Sequence, residues 1–296
     1  MTSPLVLDLD ASLSPSDARR VDLRHWQEAI RFACRTATWR EFERDLQTRA
    51  PAIDGTVLLG SGDFHHVSAL LIKRLARSHR FDVLVCDNHP DNMRFPFGIH
   101  CGSWVRHVAA LPQVGIVHVV GITSRDVAAA QAWQNYLRPL YARRVCYWTV
   151  GVNTRWAARL GLSESVKSFG NCAALVRALT RFLRATTTPL YLSIDKDVLA
   201  DDVVQTNWDQ GCMRLAQLEA IIAATQGRVI GSDITGEVSS HRYRSRWKRL
   251  LSAIDHQPSV DPGLLRASRA AHCAVNRHLL DCIATAAIKP APTRAE

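Results

Sequence analysis

The chain has 296 residues, of which 47% are hydrophobic, which is enough to bury one large core. The N-terminus lacks the basic and apolar segments of a signal peptide, and no apolar run reaches about 18 residues. These features exclude a membrane-spanning protein and predict a soluble, cytoplasmic one. We expect a single domain over residues 1–296, loosely ordered at 1–20 and 287–296.

The charge of the chain is strongly positive, since 37 Lys and Arg outnumber 27 Asp and Glu to give a formal charge of +10. The densest basic run is His241–Arg249, which we interpret as one solvated helix face. A nucleic-acid-binding surface is the alternative. No recognition motif accompanies the charge, so we do not expect nucleic acid among the partners.

Eight cysteines are spread along the sequence without a C-x-x-C pair. In a chain of this size such spacing indicates free, buried thiols rather than a disulfide framework or a zinc knuckle.

Short apolar runs alternate with longer amphipathic segments. Nearly all-apolar strands separated by helices predict an α/β fold, a three-layer αβα sandwich around a mainly parallel sheet. The predicted strands are 56–59, 81–86, 115–120, 145–150, 190–194 and 228–231. The predicted helices are 23–35, 67–78, 103–110, 125–141, 172–185, 215–225, 247–255 and 263–286.

Polar residues with catalytic chemistry follow four of these strands. In a parallel sheet, ligands bind outside the carboxyl ends of the strands, so these residues are expected on one edge. They are His65 and His66 after the first strand, Asp87, His89 and Asp91 after the second, Asp195 and Asp197 after the fifth, and Asp233 and Glu237 after the sixth.

The spacing of these carboxylates indicates a metal site. On an extended chain residues i and i+2 point to the same side, so Asp195 and Asp197 can converge, as can Asp87, His89 and Asp91 if the chain stays extended past Pro90. Carboxylates gathered without cations would repel one another and lose hydration. Mixed carboxylate and imidazole ligands suit Mn²⁺, with Fe²⁺, Zn²⁺, Co²⁺ or Ni²⁺ as alternatives.

Two motifs, D-N-H-P-D at 87–91 and S-I-D-K-D at 193–197, together resemble the signature pair of the arginase/agmatinase (ureohydrolase) family. G-D-F-H at 62–65 resembles the first motif of that family, and D-I-T-G-E at 233–237 its late motif, with one extra residue. The resemblance covers about residues 56–238. It implies an arginase-like sandwich with a binuclear manganese centre that hydrolyses guanidino groups.

The resemblance also implies ligand roles for two divalent metal ions, most simply Mn²⁺. Asp87 and Asp195 would bridge the ions, and His89 and Asp197 would complete one of them. Asp91 and one histidine would complete the other. Counting from Gly62 favours His65, but the family motif has a single His where this chain has two, so His66 stays open.

Further roles follow from the same resemblance. Glu237 would anchor a guanidinium group, and Asp91 would orient the attacking hydroxide held between the ions. His100 resembles a family proton shuttle, with a buried structural His as the alternative. Asn92 would contact the substrate, with a turn-forming Asn as the alternative.

We therefore predict a hydrolase that cleaves a guanidino or amidino C–N bond and releases urea or an analogue and an amine. The partner is a small molecule, and the family resemblance suggests a homo-oligomer. A metal-dependent amidohydrolase, deacetylase or formimino-group hydrolase is the alternative enzyme. A nucleic-acid-binding protein on a retired hydrolase scaffold is the alternative from another class.

Overall fold

A computed structural model describes residues 3–13, 18–75, 80–254 and 262–287. Within these ranges, nine strands form one sheet in which every neighbouring pair is parallel, in the order β2-β1-β4-β11-β10-β5-β7-β8-β9. They are β1 (Leu5–Asp8), β2 (Arg19–Asp22), β4 (Thr56–Gly60), β5 (Phe81–Cys86), β7 (Val114–Ile122), β8 (Val145–Val150), β9 (Val166–Phe169), β10 (Leu190–Asp195) and β11 (Val229–Thr235). A separate antiparallel pair joins β3 (Ala33–Arg35) to β6 (Gly98–His100).

Helices cover both faces of the sheet and enclose two cores. Alternate residues of β5 show the division, because Val83 and Val85 enter one core while Leu84 and Cys86 enter the other. The helices are α1 (Gln27–Ile30), α2 (Thr36–Arg49), α3 (Ser68–Lys73), α4 (Val105–Ala109), α5 (Arg138–Tyr141), α6 (Arg155–Arg159), α7 (Cys172–Arg184), α8 (Leu215–Ala223), α9 (Arg246–Ile254) and α10 (Pro262–Ala286). Helices α2, α3 and α4 pack on the first core, and α7, α8 and α10 on the second.

The predicted fold class is confirmed, because the parallel sheet lies between two helical layers. Each of the six predicted strands is present, and 81–86 and 145–150 have the predicted bounds. None of the described helices is long and apolar enough to span a bilayer.

Two predicted helices are wrong. Residues 125–141 form the 3-10 turns Arg125–Val127 and Ala132–Gln134 before α5. The Asn135 side chain donates to the carbonyl of Asp126, a local bond that competes with a continuous helix. Residues 23–35 contain the 3-10 turn Arg24–Trp26 and the short α1 instead of one long helix, since Phe32 takes a positive φ of 70° and the chain continues into β3.

Part of the N-terminal segment belongs to the sheet, although 1–20 was expected to be loosely ordered; residues 1–2 and 14–17 lie outside the described residues. Strand β1 pairs with β2 on one side and with β4 on the other. Leu5, Val6 and Leu7 are fully buried because the strand is covered on both faces. At the other end, Ala287 pairs with Val229, and 288–296 lie outside the described residues.

The expectation of free thiols is wrong for one pair. All eight cysteines lie in the described ranges, and Cys172 at the start of α7 is bonded to Cys212 in the loop before α8. The other six are free thiols.

The basic run at 241–249 is only partly a solvated face. His241 lies 2.6 Å from the Glu28 carboxylate, and Lys248 is 2% exposed. The Lys248 ammonium donates to the carbonyls of Glu28, Ala29 and Arg31 at 2.5–3.0 Å. It therefore satisfies carbonyls at the end of α1 that have no helical partner.

We expect Lys248→Met to lower the free energy of unfolding by about 2–3 kcal/mol, because buried carbonyls lose their donor. The control is Arg249→Met, at an exposed neighbour in the same run, which should change stability by less than about 0.5 kcal/mol. Urea denaturation of both variants measures the difference. Equal stabilities would show that Lys248 has no such role.

Candidate metal centre

Four consecutive strands in the middle of the sheet, β4, β11, β10 and β5, supply the polar residues of the candidate site. Because the strands are parallel, the segments that follow them meet at one edge. The predicted metal ligands follow three of these strands, β4, β5 and β10, and lie close together there, with the exception of His66.

The first group of donors forms around His65. Its Nδ1 lies 3.1 Å from Asp87 Oδ2, 3.1 Å from Asp91 Oδ2 and 3.5 Å from Asp195 Oδ2. All four side chains are buried. Imidazole and carboxylate atoms thus surround a common point.

The second group forms around His89. Its Nδ1 lies 2.9 Å from Asp197 Oδ2 and 3.5 Å from Asp87 Oδ1. The ligand atoms of Asp87, His89 and Asp197 all lie within 4.8 Å of one another, as do those of His65, Asp87 and Asp91. Asp87 therefore belongs to both groups, and each of its oxygens faces a different one.

Crowding changes the ionisation of these carboxyls. Burial and the charge of Asp87 raise the pKa of Asp91 and of Asp197 to about 7. Burial and the charge of Asp197 raise the pKa of Asp195 well above its ordinary value. Burial also opposes ionisation of Asp87, but bonds with His65 and the other imidazole outweigh it and lower its pKa.

Each imidazole is held at its other nitrogen. His65 Nε2 lies 2.9 Å from Ser193 Oγ, and the Ser193 hydroxyl donates to Asp233 Oδ1 at 2.8 Å. His89 Nε2 lies 2.8 Å from Asp209 Oδ1. Such contacts favour a proton on Nε2, so that Nδ1 is the nitrogen able to bind a metal ion, as in metal-binding histidines.

The local backbone brings the carboxylates together. Asp91 has a φ of +46°, so the chain does not remain extended past Pro90, and the short Asp side chain tolerates this conformation. Glycines approach Asp195 from two sides: a Cβ on Gly62 would lie 2.9 Å from its Oδ2, and one on Gly236 2.5 Å from its Oδ1. Gly236 also has a φ of +93°. Both positions exclude larger residues.

The structure resolves the choice between the two neighbouring histidines in terms of position. His65 is in the first donor group, whereas His66 is fully buried beside the Trp39 ring, with 5.2 Å between ring centroids. Burial lowers the pKa of His66. The prediction that His66 is a ligand is therefore not supported, because its side chain leaves the 3-10 turn on the side of the helical core.

Glu237 does not face the donor groups, which corrects its predicted role as a guanidinium anchor. Its Oε1 accepts hydrogen bonds from the Lys196 ammonium and, at 2.7 Å, from Asn276 Nδ2. Its Oε2 lies 3.3 Å from His272 Nδ1. The carboxylate is 4% exposed, and although burial opposes its ionisation, the charge of Lys196 lowers its pKa. A buried ion pair thus occupies the predicted anchor.

His100 and Asn92 lie outside both donor groups. His100 Nδ1 accepts a hydrogen bond from the Gly102 amide, and its ring packs edge-on against Phe32 at 4.4 Å. Asn92 is fully buried, and its amide donates to the Tyr136 carbonyl and to the Tyr147 hydroxyl. Asn92 thus has a structural role, and a substrate contact by it is not supported.

Sequence reasoning missed three groups of the site. Asp209 lies in the loop that follows β10, and its only signal in the sequence is an acidic residue after the Asp195 strand. His272 and Asn276 are four residues apart on α10, which places them on one face. Neither carried a motif, and only the fold brings them to Lys196.

A pair of divalent ions fits these residues. Four buried carboxylates and two imidazoles lie together, and three of the carboxyls have raised pKa values because burial and a neighbouring carboxylate disfavour their charged form. Hard oxygen and borderline nitrogen donors without thiolate suit Mn²⁺ and similar ions.

Comparisons with known proteins bear on the fold of the chain. No family model matches the chain. An uncharacterized protein of Thermotoga maritima is 29% identical over 194 residues, which are 65% of this chain and 62% of that protein, so the match spans less than two thirds of the relative.

Three solved structures resemble the fold over nearly the whole chain. Agmatine ureohydrolase of Thermoplasma volcanium has a TM-score of 0.54 and 10% identity, covering 96% of this chain and 89% of that one. Proclavaminate amidino hydrolase from Streptomyces clavuligerus has a TM-score of 0.52 and 14% identity, covering 96% of this chain and 92% of that one. Formimidoylglutamase from Bacillus subtilis has a TM-score of 0.51 and 14% identity, covering 95% of this chain and 86% of that one. The chain therefore has the arginase-like fold that these ureohydrolases share.

Proposed function

We propose that the protein is a hydrolase with two divalent metal ions that cleaves a C–N bond of an amidino or guanidino group. The observation that carries the proposal is the position of Asp87, whose two oxygens face two separate donor groups. Solved structures of the same fold are named for hydrolysis of agmatine, of an amidino compound and of formimidoylglutamate.

The proposal assigns each side chain to an ion. His65 and Asp91 would hold one, His89 and Asp197 the other, and Asp87 would be shared. Asp195 would be the second shared ligand. Its Oδ2 lies 3.5 Å from His65 Nδ1, and its Oδ1 accepts a hydrogen bond from the Asp197 amide at 3.1 Å. The ions, most simply Mn²⁺, would supply a hydroxide near neutral pH and stabilise negative charge on the reacting group.

The remaining steps fall to the protein's own residues. Asp91 Oδ2 accepts a hydrogen bond from the indole of Trp104 at 2.5 Å, which would hold the carboxylate in place to orient the attacking water. Phe32 and Trp208 stack at 5.9 Å, and the Trp208 indole donates to Asp63. These rings would limit the entry of solvent. His100, which packs on Phe32, would deliver the proton to the departing amine.

The buried Lys196–Glu237 pair favours a second candidate within the same fold. Because Glu237 is already neutralised, it cannot pair with a substrate guanidinium without losing Lys196. An amide substrate, which is neutral and needs no carboxylate anchor at the reacting carbon, fits this arrangement. Release of urea from guanidino compounds separates the two candidates from each other.

The first prediction concerns metal content. Purified protein should bind about two Mn²⁺ per chain, measured by elemental analysis after dialysis, and Asp87→Asn should lower activity at least about 100-fold because both ions lose a ligand. Asp202→Asn, at an exposed aspartate paired with Arg214, is the matched control and should keep both the metal content and the activity. Folded wild-type protein that binds no divalent ion would overturn the proposal.

The second prediction concerns pH in the metal-free protein. An unfolded Asp has a pKa of about 3.9, whereas Asp91 and Asp197 have pKa values of about 7 when folded. The folded state holds these protons more tightly, so their contribution to stability is present below about pH 4 and is lost as pH rises through about 7. Asp87, with a lowered pKa, acts in the opposite sense only at more acidic pH.

Chelated protein should therefore melt at least about 5 °C lower at about pH 8 than at about pH 6. Added Mn²⁺ should remove most of this difference, since cations replace the protons. Thermal melts followed by circular dichroism provide the measurement. A metal-free protein with the same melting temperature at both pH values would contradict the crowding of charge.

The third prediction separates a structural Glu237 from a substrate anchor. Glu237→Gln leaves the Lys196 ammonium buried without its counterion and should lower the free energy of unfolding by about 3 kcal/mol or more. KM should change less than about 3-fold, whereas loss of a substrate anchor would raise KM at least about 10-fold. The double variant Lys196→Met/Glu237→Gln should regain stability relative to Glu237→Gln. Steady-state kinetics and urea denaturation of the three proteins test both statements.

A further inference from the structure

A third group of ligand atoms lies away from the candidate metal centre, between α8 and α10. Glu219 of α8 and His278 and Cys282 of α10 place one ligand atom each within 4.8 Å of one another. His278 Nε2 is 3.5 Å from Glu219 Oε2 and 3.6 Å from Cys282 Sγ. The two α10 residues are four apart and so share one face of the helix.

These separations match the edges of a tetrahedral zinc site. Zn²⁺ binds His, carboxylate and Cys at 2.0–2.3 Å, so two ligand atoms of a tetrahedron lie about 3.3–3.8 Å apart. Both distances from His278 Nε2 fall in that interval. The Glu219 and His278 side chains are 51% and 41% exposed, so an ion can enter from solvent.

The arrangement does not suit a cysteine nucleophile with a catalytic triad. In a triad the acid holds the imidazole nitrogen opposite to the one that faces the nucleophile. Here Glu219 and Cys282 both face Nε2 of His278. Three donors that meet at one point are the pattern of a cation site.

The surroundings are also negative. Burial, Glu219 and Asp281 raise the pKa of the Cys282 thiol, so two carboxylates are close to the sulfur. The same charges favour a divalent cation, which lowers the pKa of a coordinating thiol.

We propose that Glu219, His278 and Cys282 bind one Zn²⁺, with solvent at the fourth position. A thiolate ligand selects Zn²⁺ over Mn²⁺, so this site and the carboxylate-rich centre would load different metals. The ion joins α8 to α10 and stabilises the helix whose His272 and Asn276 hold Lys196 and Glu237. Its role is structural.

The test uses the full-length protein with Mn²⁺ already bound at the candidate centre. Co²⁺ serves as a spectroscopic substitute for Zn²⁺, because thiolate ligation gives an intense near-ultraviolet absorption that nitrogen and oxygen ligands do not. The donors of the candidate centre include no cysteine. We expect a band that saturates at about one Co²⁺ per chain and is displaced by Zn²⁺.

Variants locate the band. Cys282→Ser should abolish it, while Cys273→Ser, at a free cysteine of the same helix outside the donor group, should leave it intact. Glu219→Gln, at an exposed position, should weaken Zn²⁺ affinity at least about 10-fold and is the second test should Cys282→Ser fold poorly. Zn²⁺ should raise the melting temperature of wild type and not of Cys282→Ser.

A band that Cys282→Ser and Glu219→Gln leave unchanged, or no band at all, would overturn the proposal. Neither result would bear on the Asp87 centre, whose metal content and activity are measured separately.

Discussion

Repulsion among buried aspartates is the constraint on which the rest of the structure depends. Asp87, Asp91, Asp195 and Asp197 lie beside two imidazoles in a region closed to solvent, and no folded chain gathers such charges without compensation. Burial and neighbouring carboxylates raise the pKa values of three of the carboxyls, and the facing carboxylates raise those of His65 and His89 despite burial. In the metal-free state the retained protons provide this compensation. Divalent ions replace these protons in the proposed enzyme.

Around this centre, charged side chains outside the two donor groups hold other side chains in place. Asp233 and Asp209 orient the imidazoles, and Lys196 neutralises Glu237 between the sheet edge and α10. Lys196 stands between two proposed ligands in D-K-D, yet its side chain is fully buried away from both donor groups. In the proposed enzyme, substrate choice would therefore rest on the loops and rings around Trp208 and Phe32 more than on a carboxylate opposite the metal ions.

Much of the fold could be predicted from the sequence, because the signals for its strands lie in short stretches of the chain. Strands such as 81–86 are apolar on both faces, and the candidate ligands follow the strands closely in sequence, so the sheet edge could be predicted together with the residues that meet there. Asp209, His272 and Asn276 could not, because their roles arise from contacts between segments far apart in the chain. The role predicted for Glu237 was wrong for the same reason. The family resemblance concerned residues 233–237, whereas Asn276, which donates to Glu237, lies on α10 outside that motif.

The order of strands in the sheet has a consequence for synthesis on the ribosome. Strands β10 and β11, made late, fill the gap between β4 and β5, which are both made early. Until about residue 235 has emerged, β4 and β5 each carry an open edge with unpaired backbone groups in the middle of the future sheet. The nascent chain thus passes through a stage that is prone to association. Late insertion of β10 and β11 closes the gap and brings Asp195 and Asp197 next to the candidate ligands that follow β5.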